Sequence, residues 1–415
     1  MTIAATILTN VLLLTSVATS VDNLLLDQYI PAEEEVALWV NNAQLLSPLE
    51  ETHPNVPELS EPQQETLRAL NNTCELEIFS KCQSYIKNNR QAVLAVLPNN
   101  PIYWQSFWSV IEASNILNFD FGKPGLGSNA LLHASRSWFY LDLADDGQVD
   151  IERLLLLQQS IRNWRTGHQT LLMRMIAIGI NGIVANQVSF GMAQAGRARD
   201  IQTLTRLLSA AGPVSPAEMS YGPVFWAERE FVLRNIKHLS EEELASNPDV
   251  EYALSLAKNT QEEASLKRLL EDPKGFHAAD LDLLAQHYVP YSITPWATYW
   301  REGIPNVPDG FFPRLSFAAI SAPAYGSYIK SDRMSHFLGY LFPPLFDIYA
   351  GNTSPGIPPR PAPTHWRWAW YEEDQAKLCL VSNNIHPSTH DFKEEPYEIC
   401  VDYYDEQAVE ALLVR

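Results

Sequence analysis

The residues best able to do chemistry occur in short groups. Ser327-Tyr-Ile-Lys330 has the S-x-x-K spacing in which a lysine activates a serine nucleophile for acyl transfer. The same four letters recur nowhere with a K-T-G element but do recur at Ser84 to Lys87, so both copies read as a surface serine and lysine one helical turn apart. His386, His390 and Asp391 offer two imidazoles and a carboxylate to a divalent metal. They fall in an expected loop, where that spacing does not converge, and exposed histidines are the plainer reading. Asp142, Asp145, Asp146, Gly147 and Asp150 echo a calcium loop, but Arg153 stands where the bidentate glutamate belongs. An acidic turn between two helices, with Gly147 as C-cap, explains them. The stretch from Gly122 to Ser128 lacks the residue order of a phosphate loop, and Pro124 removes an amide donor. No metal or cofactor is expected.

Two groups remain as binding candidates. Trp366, Trp368 and Trp370 alternate with Arg367 and Ala369, which puts three indoles on one strand face. They could stack on sugar rings or grip a peptide, or they plug the sheet onto the helices. Arg136 and Arg174 sit in otherwise apolar helices. A buried arginine must be paired, and Glu112, Asp142 and Glu152 are the expected partners. Such a pair is structural, or it lines a pocket for an acidic ligand.

The elements that would position these groups are mostly helical. Pro31 and Glu33 to Glu35 start a helix over 31–46. Four prolines in 47–62 read as a linker that would let the body stand off a membrane. Helices are expected over Leu76–Val96, from Pro101 to about Leu117, and over Ala130–Leu143, Ile151–Trp164 and Gln169–Gln194. The last is apolar on most sides and reads as a central core helix. Further helices follow over Ala217–Lys237, Ser240–Ala245, Val250–Glu271 and Ala278–His287. A proline-rich aromatic stretch (288–314) reads as an ordered loop, before a last helix over Ala324–Leu341. Strands are expected at Trp366–Trp370, Lys377–Val381 and Glu398–Tyr404, forming a small antiparallel sheet. The fold class is mainly α, a multi-helix array with a small C-terminal antiparallel β-sheet. The domains read as a signal peptide or anchor (1–20), an N-terminal helix and linker (21–62), a helical domain (63–350) and a β-sheet region (351–415).

The 415 residues carry 29 basic and 49 acidic side chains, a formal charge of −20. A field of that sign repels phosphate backbones and argues against nucleic acid as a partner. Ile3 to Ala18 is apolar and uncharged, and Ser16-Val17-Ala18 has the small-x-small pattern of a signal-peptidase site. A cleaved signal, an uncleaved anchor and a buried helix remain as readings, so membrane contact through residues 3–18 stays open. Cys74, Cys82, Cys379 and Cys400 form two local pairs that suit an oxidising compartment. Cys74 and Cys82 would lie ~12 Å apart in one straight helix, too far to bridge. A bridge therefore places Cys74 in a turn at Asn71–Thr73. Cys379 and Cys400 are expected to bridge across two strands.

The runs Cys74 to Cys82, Leu131 to Trp138, Ile161 to Trp164, Leu171 to Ile176 and Pro323 to Ile329 resemble a family of uncharacterised exported proteobacterial helical proteins. The resemblance spans roughly residues 30–345, and the C-terminal sheet departs from it. It implies a helical fold and export, and it brings no activity. With no catalytic constellation standing out, the expected role is a non-catalytic cell-envelope protein, periplasmic or tethered to the inner membrane. It would scaffold or bind another macromolecule, an unknown protein or envelope component. The alternatives are a periplasmic hydrolase assembled from distant residues, and a small-ligand binder with a helical cavity.

Overall fold

The computed structural model describes residues 25–51, 59–76, 79–113, 115–117, 128–145, 149–215, 218–236, 271–293, 328–329, 332–333, 335–372, 376–382 and 398–405. The apolar segment 3–18, the 122–127 loop, the helix expected over Ser240–Ala245 and nearly all of that over Val250–Glu271 lie outside them. So do residues 294–314 of the aromatic stretch, Ser327, Lys330, His386, His390 and Asp391.

The described helices are α1 (Glu33–Asn42), α2 (Leu46–Glu51), α3 (Glu61–Leu76), α4 (Phe79–Asn88), α5 (Arg90–Val96), α6 (Pro101–Glu112) and α7 (Ser128–Asp145). They continue with α8 (Ile151–Thr166), α9 (Leu171–Arg197), α10 (Ile201–Ala211), α11 (Gly222–Ile236), α12 (Pro273–Ile293) and α13 (Leu338–Tyr349). A three-stranded antiparallel sheet closes the chain, with β1 (Trp366–Tyr371), β2 (Lys377–Ser382) and β3 (Glu398–Asp402) in that order. The mainly helical class with a small C-terminal sheet is therefore observed.

Local chemistry explains several helix starts. The Asn100 side chain accepts from the Ile102 amide, with Pro101 at the first helical position of α6. Asp150 accepts from Arg153 N–H to open α8, and Asp200 accepts from Thr203 N–H to open α10. Asp142 Oδ2 in turn accepts from the Asp150 amide at 2.7 Å. Asp150 of the acidic group that echoed a calcium loop is thus a helix cap, and Gly147, expected as a C-cap, lies outside the described residues.

The centre of the molecule is α9, which packs against α7, α8, α10, α13 and β3. By length and hydropathy it could cross a bilayer, yet more than half of its most apolar window is buried among the other helices. Three of its polar residues tie it to other elements. Asn181 Nδ2 donates to Ser335 Oγ, Asn186 Oδ1 accepts from the Asp402 amide, and Ser189 Oγ donates to the Asp402 carbonyl. Asn186 and Ser189 therefore anchor β3, and Asn181 anchors the stretch ahead of α13. Gly191 and Gly196 of α9 lie where neighbours come close, and a Cβ on Gly196 would stand 2.8 Å from the Tyr349 carbonyl oxygen of α13.

A second apolar cluster joins α11 and α12 to Leu26 and to Leu171 at the start of α9. The sheet has no core of its own on the tryptophan face: Trp366, Leu378, Leu380 and Val401 belong to the main helical core.

Several expectations need correction. Residues 46–51 are helical, with Leu46 and Leu49 buried in the main core, so that part of the supposed linker is packed against the body. Proline at the third position of α2 tolerates a helix, because first-turn amides lack intrahelical partners anyway. The Leu76–Val96 helix is split at Asn89 into α4 and α5. Helix α12 runs through Pro290 to Ile293, and α13 contains Pro343 and Pro344 and continues to Tyr349. In both, burial of the apolar face outweighs the lost backbone hydrogen bonds.

Cys74 lies in the last turn of α3, not in a preceding turn. Cys82 lies in α4, so the 74–82 bridge ties two successive helices, with Cα atoms 4.6 Å apart. Cys379 and Cys400 are register partners on β2 and β3 and are bonded as expected, with Cα atoms 4.2 Å apart.

Candidate functional site

The tryptophan face, the two arginines and one cleft hold the chemistry among the described residues. On β1, Trp366 is buried against Phe337, with ring centroids 4.6 Å apart. Trp368 and Trp370 are partly exposed. Trp368 Nε1 donates to the Arg360 carbonyl at 2.8 Å, and Trp370 Nε1 donates to Glu372 at 3.2 Å. Trp370 also leans on Tyr403, which stacks on Tyr349. The stripe is thus one packing residue and two residues on an aromatic ledge. On the opposite face, Ala369, Cys379 and Val381 are buried around the disulfide. Glu398 lies near both sulfurs, but the cysteines are bonded to each other and offer no thiolate to a metal.

Arg174 takes a different partner from those expected. It is fully buried on α9, and its Nε donates to Asp332 Oδ2 at 2.8 Å. Its remaining donors meet the carbonyls of Ser220 and Met219, and its guanidinium lies 4.0 Å from the Tyr221 ring centroid. Arg165 of α8 grips Asp332 Oδ1 through Nε and Nη2, at 3.0 and 2.9 Å. Asp332 is therefore held by two guanidiniums with no solvent contact. Burial alone would push its carboxyl up, but the two cations overcome this and hold it below the ordinary range. Neighbouring His336 is pushed down to about 4 by burial and by Arg165, so it stays neutral at pH 7. The cluster ties α8 and α9 to the strands of chain at 219–221 and 332, at the seam of the two apolar clusters. Glu152, one expected partner, instead pairs with Arg206 across 2.7 Å at the surface. Asp142 accepts from the amide of the cap residue Asp150.

A second carboxylate is also used structurally. Glu228 on α11 accepts from the Leu171 amide at the N-terminus of α9, at 2.7 Å. Burial pushes its pKa up to about 6, against that hydrogen bond. His168 stacks on Trp39, meets Trp226 edge-on and bonds the Tyr29 carbonyl at 2.7 Å. Burial holds it below the ordinary histidine range.

Arg136 stands elsewhere, in a cleft of about 240 Å³. Helices α3 and α7 form its two sides, and the end of α5 with Pro98 forms the floor. Both α3 and α7 pack on α4 and α5, which holds the sides apart. Leu67, Arg68 and Asn71 line it from α3, and His133, Arg136, Ser137 and Tyr140 line it from α7. The rim is tethered: Gln64 Nε2 donates to the Leu59 carbonyl, and Gln63 Nε2 donates to Ala95 O beside Val96. The disulfide at Cys74 fixes the far end of α3 to α4.

The two arginines singled out in the sequence stand in different places. Arg174 is enclosed in an ion cluster, and Arg136 opens on a cleft with Arg68 as its second cation. Sequence reasoning missed Arg68, His133 and Asp332. Arg68 and Asn71 share an i, i+3 face of α3, and His133, Arg136, Ser137 and Tyr140 share one face of α7, so each half of the cleft was visible as a helix stripe. That the two stripes face one another was not. No protein-family model, curated protein or solved structure matches this chain.

Proposed function

We propose that this is a non-catalytic binding protein of an oxidising, extracytoplasmic compartment, and that the cleft between α3 and α7 is its binding site. The cleft is the observation that carries the reading. It joins apolar walls to a few convergent polar groups on rigid helices, the usual composition of a ligand site. The two disulfides support an oxidising compartment. The resemblance to exported helical proteins agrees with it, as does the apolar segment at 3–18. Asp332, which is fully buried, is engaged structurally by two arginines, and Glu228 by a helix N-terminus. Neither is presented to a substrate.

The test is native mass spectrometry of the full chain after exposure to a periplasmic small-molecule extract. The wild type is expected to retain a small ligand, and Ser137→Phe, which fills the cleft, is expected to lose it while keeping its circular dichroism. Equal retention by both proteins, or none by either, would refute the reading.

A second reading follows from the ledge of Trp368, Trp370, Tyr403 and Tyr349. Two partly exposed indoles beside stacked tyrosines suit a macromolecular partner, as a peptide or a glycan. Trp368→Ala and Trp370→Ala would abolish capture of such a partner and leave the cleft ligand in place.

A further inference from the structure

We infer that the outer edge of β1 is an interface for a second copy of this chain. Two β1 strands pair antiparallel about Ala369 and join two three-stranded sheets into one. The inference is independent of the cleft.

The direction of the backbone groups is the first argument. In an antiparallel pair, successive residues turn their N–H and C=O alternately toward the neighbouring strand and away from it. Two observations fix the phase. The Trp366 amide donates to the Pro363 carbonyl and so points away from β2. Cys379 and Cys400 face one another with Cα atoms 4.2 Å apart, the close spacing of a pair that exchanges no main-chain hydrogen bonds. Cys379 therefore turns its backbone toward β1, where its partner is Ala369. Both observations put the amides and carbonyls of Trp368 and Trp370 on the open edge. No hydrogen bond reaches those groups among the described residues.

The other edge of the sheet is closed. On β3 the outward groups of Asp402 are taken up by α9, its amide by Asn186 and its carbonyl by Ser189. Monomeric proteins protect an open edge with proline, bulges or inward-pointing charges. β1 has no proline, and its register with β2 runs unbroken from Trp366 to Tyr371.

Self-complementarity selects a second copy as the occupant. The Trp366 amide is already used, so pairing runs over Arg367 to Tyr371. Antiparallel pairing of that stretch with itself sets Ala369 opposite Ala369 on the two-fold axis and Trp368 opposite Trp370 of the second copy. The backbone of each Trp368–Trp370 pair exchanges both its hydrogen bonds, and the indoles meet on one face. On the other face the exposed Arg367 meets Tyr371 of the second copy, which is 41% exposed. The two arginines stay apart, so the only charge on the strand does not oppose the pairing. The −20 carried by each chain does oppose it at long range, and salt screens that repulsion.

The test is sedimentation velocity of the oxidised full-length protein in non-ionic detergent, from about 1 to 100 µM and at low and high salt. A reversible monomer–dimer equilibrium is expected, shifted toward dimer by salt. Trp370→Pro removes an outward amide without touching the β1–β2 ladder, and should weaken the dimer roughly tenfold or more. Trp370→Thr keeps the amide and should weaken it less. Equal losses in the two variants would mean side-chain packing without strand pairing. Unchanged dimerisation of Trp370→Pro would place the contact elsewhere, and a dimer dissolved by salt would rest on ion pairs. Each of these overturns the inference. A second measurement does not depend on the proline variant folding. Arg367→Cys combined with Tyr371→Cys sets two sulfurs opposite each other across the axis. Unreduced protein should run as a covalent dimer, with the 367 peptide of one chain joined to the 371 peptide of the other. A 367-to-367 link, or no covalent dimer, overturns the pairing. A monomer at every concentration overturns the second copy as occupant and leaves the edge to an extended segment of another protein.

Discussion

Arg174 and Asp332 are 158 residues apart in the chain, yet Arg174 Nε donates to Asp332 Oδ2 across 2.8 Å with neither side chain reaching solvent. Arg165 completes the group from the preceding helix. A buried carboxylate between two cations is costly to break, because each survivor is left charged in a poor solvent.

Asp332→Ala should therefore lower stability by about 3–5 kcal/mol, the range for removing one partner of a buried ion pair. Asp332→Asn keeps the shape but only one acceptor, sets its amide nitrogen against a guanidinium donor and leaves both cations without a counter-charge, so it should lose a comparable amount. Urea denaturation followed by circular dichroism measures both. A loss below about 1 kcal/mol for the alanine variant would contradict the ion cluster as a core support.

Glu228 and His336 should pull the pH profile of stability in opposite directions. The ordinary carboxyl value is 4.5 and Glu228 titrates at about 6, so the folded state holds this proton more tightly. Its contribution is most favourable below 4.5 and declines as pH rises through 6. Glu228→Gln should raise stability at pH 7 by on the order of 1 kcal/mol and remove that slope. His336 is lowered from 6.5 to about 4, so its contribution is full above 6.5 and falls as pH drops toward 4. His336→Phe should flatten the acid limb alone. Denaturant titrations at half-unit pH steps from 4 to 8 separate the two.

The two disulfides should differ in weight. Cys379–Cys400 spans 21 residues, for which chain entropy gives about 3 kcal/mol. Cys74–Cys82 spans 8, for about 2.5 kcal/mol. Paired serine variants and peptide mapping of unreduced protein test this. The Cys74→Ser, Cys82→Ser variant should also weaken the cleft ligand, since that bridge fixes one end of α3. The Cys379→Ser, Cys400→Ser variant should leave ligand affinity unchanged.

Gly196→Ala should destabilise the protein, although alanine is the better helix former by about 1 kcal/mol. The added methyl group would stand 2.8 Å from the Tyr349 carbonyl oxygen, and that atom belongs to a helix backbone that cannot swing away. A loss of about 1–3 kcal/mol is expected by thermal melting. A gain in melting temperature would show that α9 and α13 sit farther apart than described.

How far the sequence carried the structure depends on the range of the interaction. The helices over α7, α8 and α9 and the three strands follow from apolar periodicity, a property of neighbours in the chain, and their edges from caps such as Asp150 and Thr170. The strand bridge was legible because Cys379 and Cys400 each sat in a short β-like run, and the two runs pair in the register that sets them opposite each other. Proline misled, since burial of α12 and α13 outweighed the local rule. Cys74 misled too, since α3 runs on past it to Leu76 and Cys82 lies in the separate helix α4. Tertiary structure alone decided the partners. Arg136 and Arg174 look alike in sequence, each a cation within an apolar stretch of helix. One met Asp332, which is distant in the chain, and became part of the core. The other met a gap that α4 and α5 hold open and faces Arg68 across it. Periodicity says which face of a helix turns inward, but not which helix it will find there.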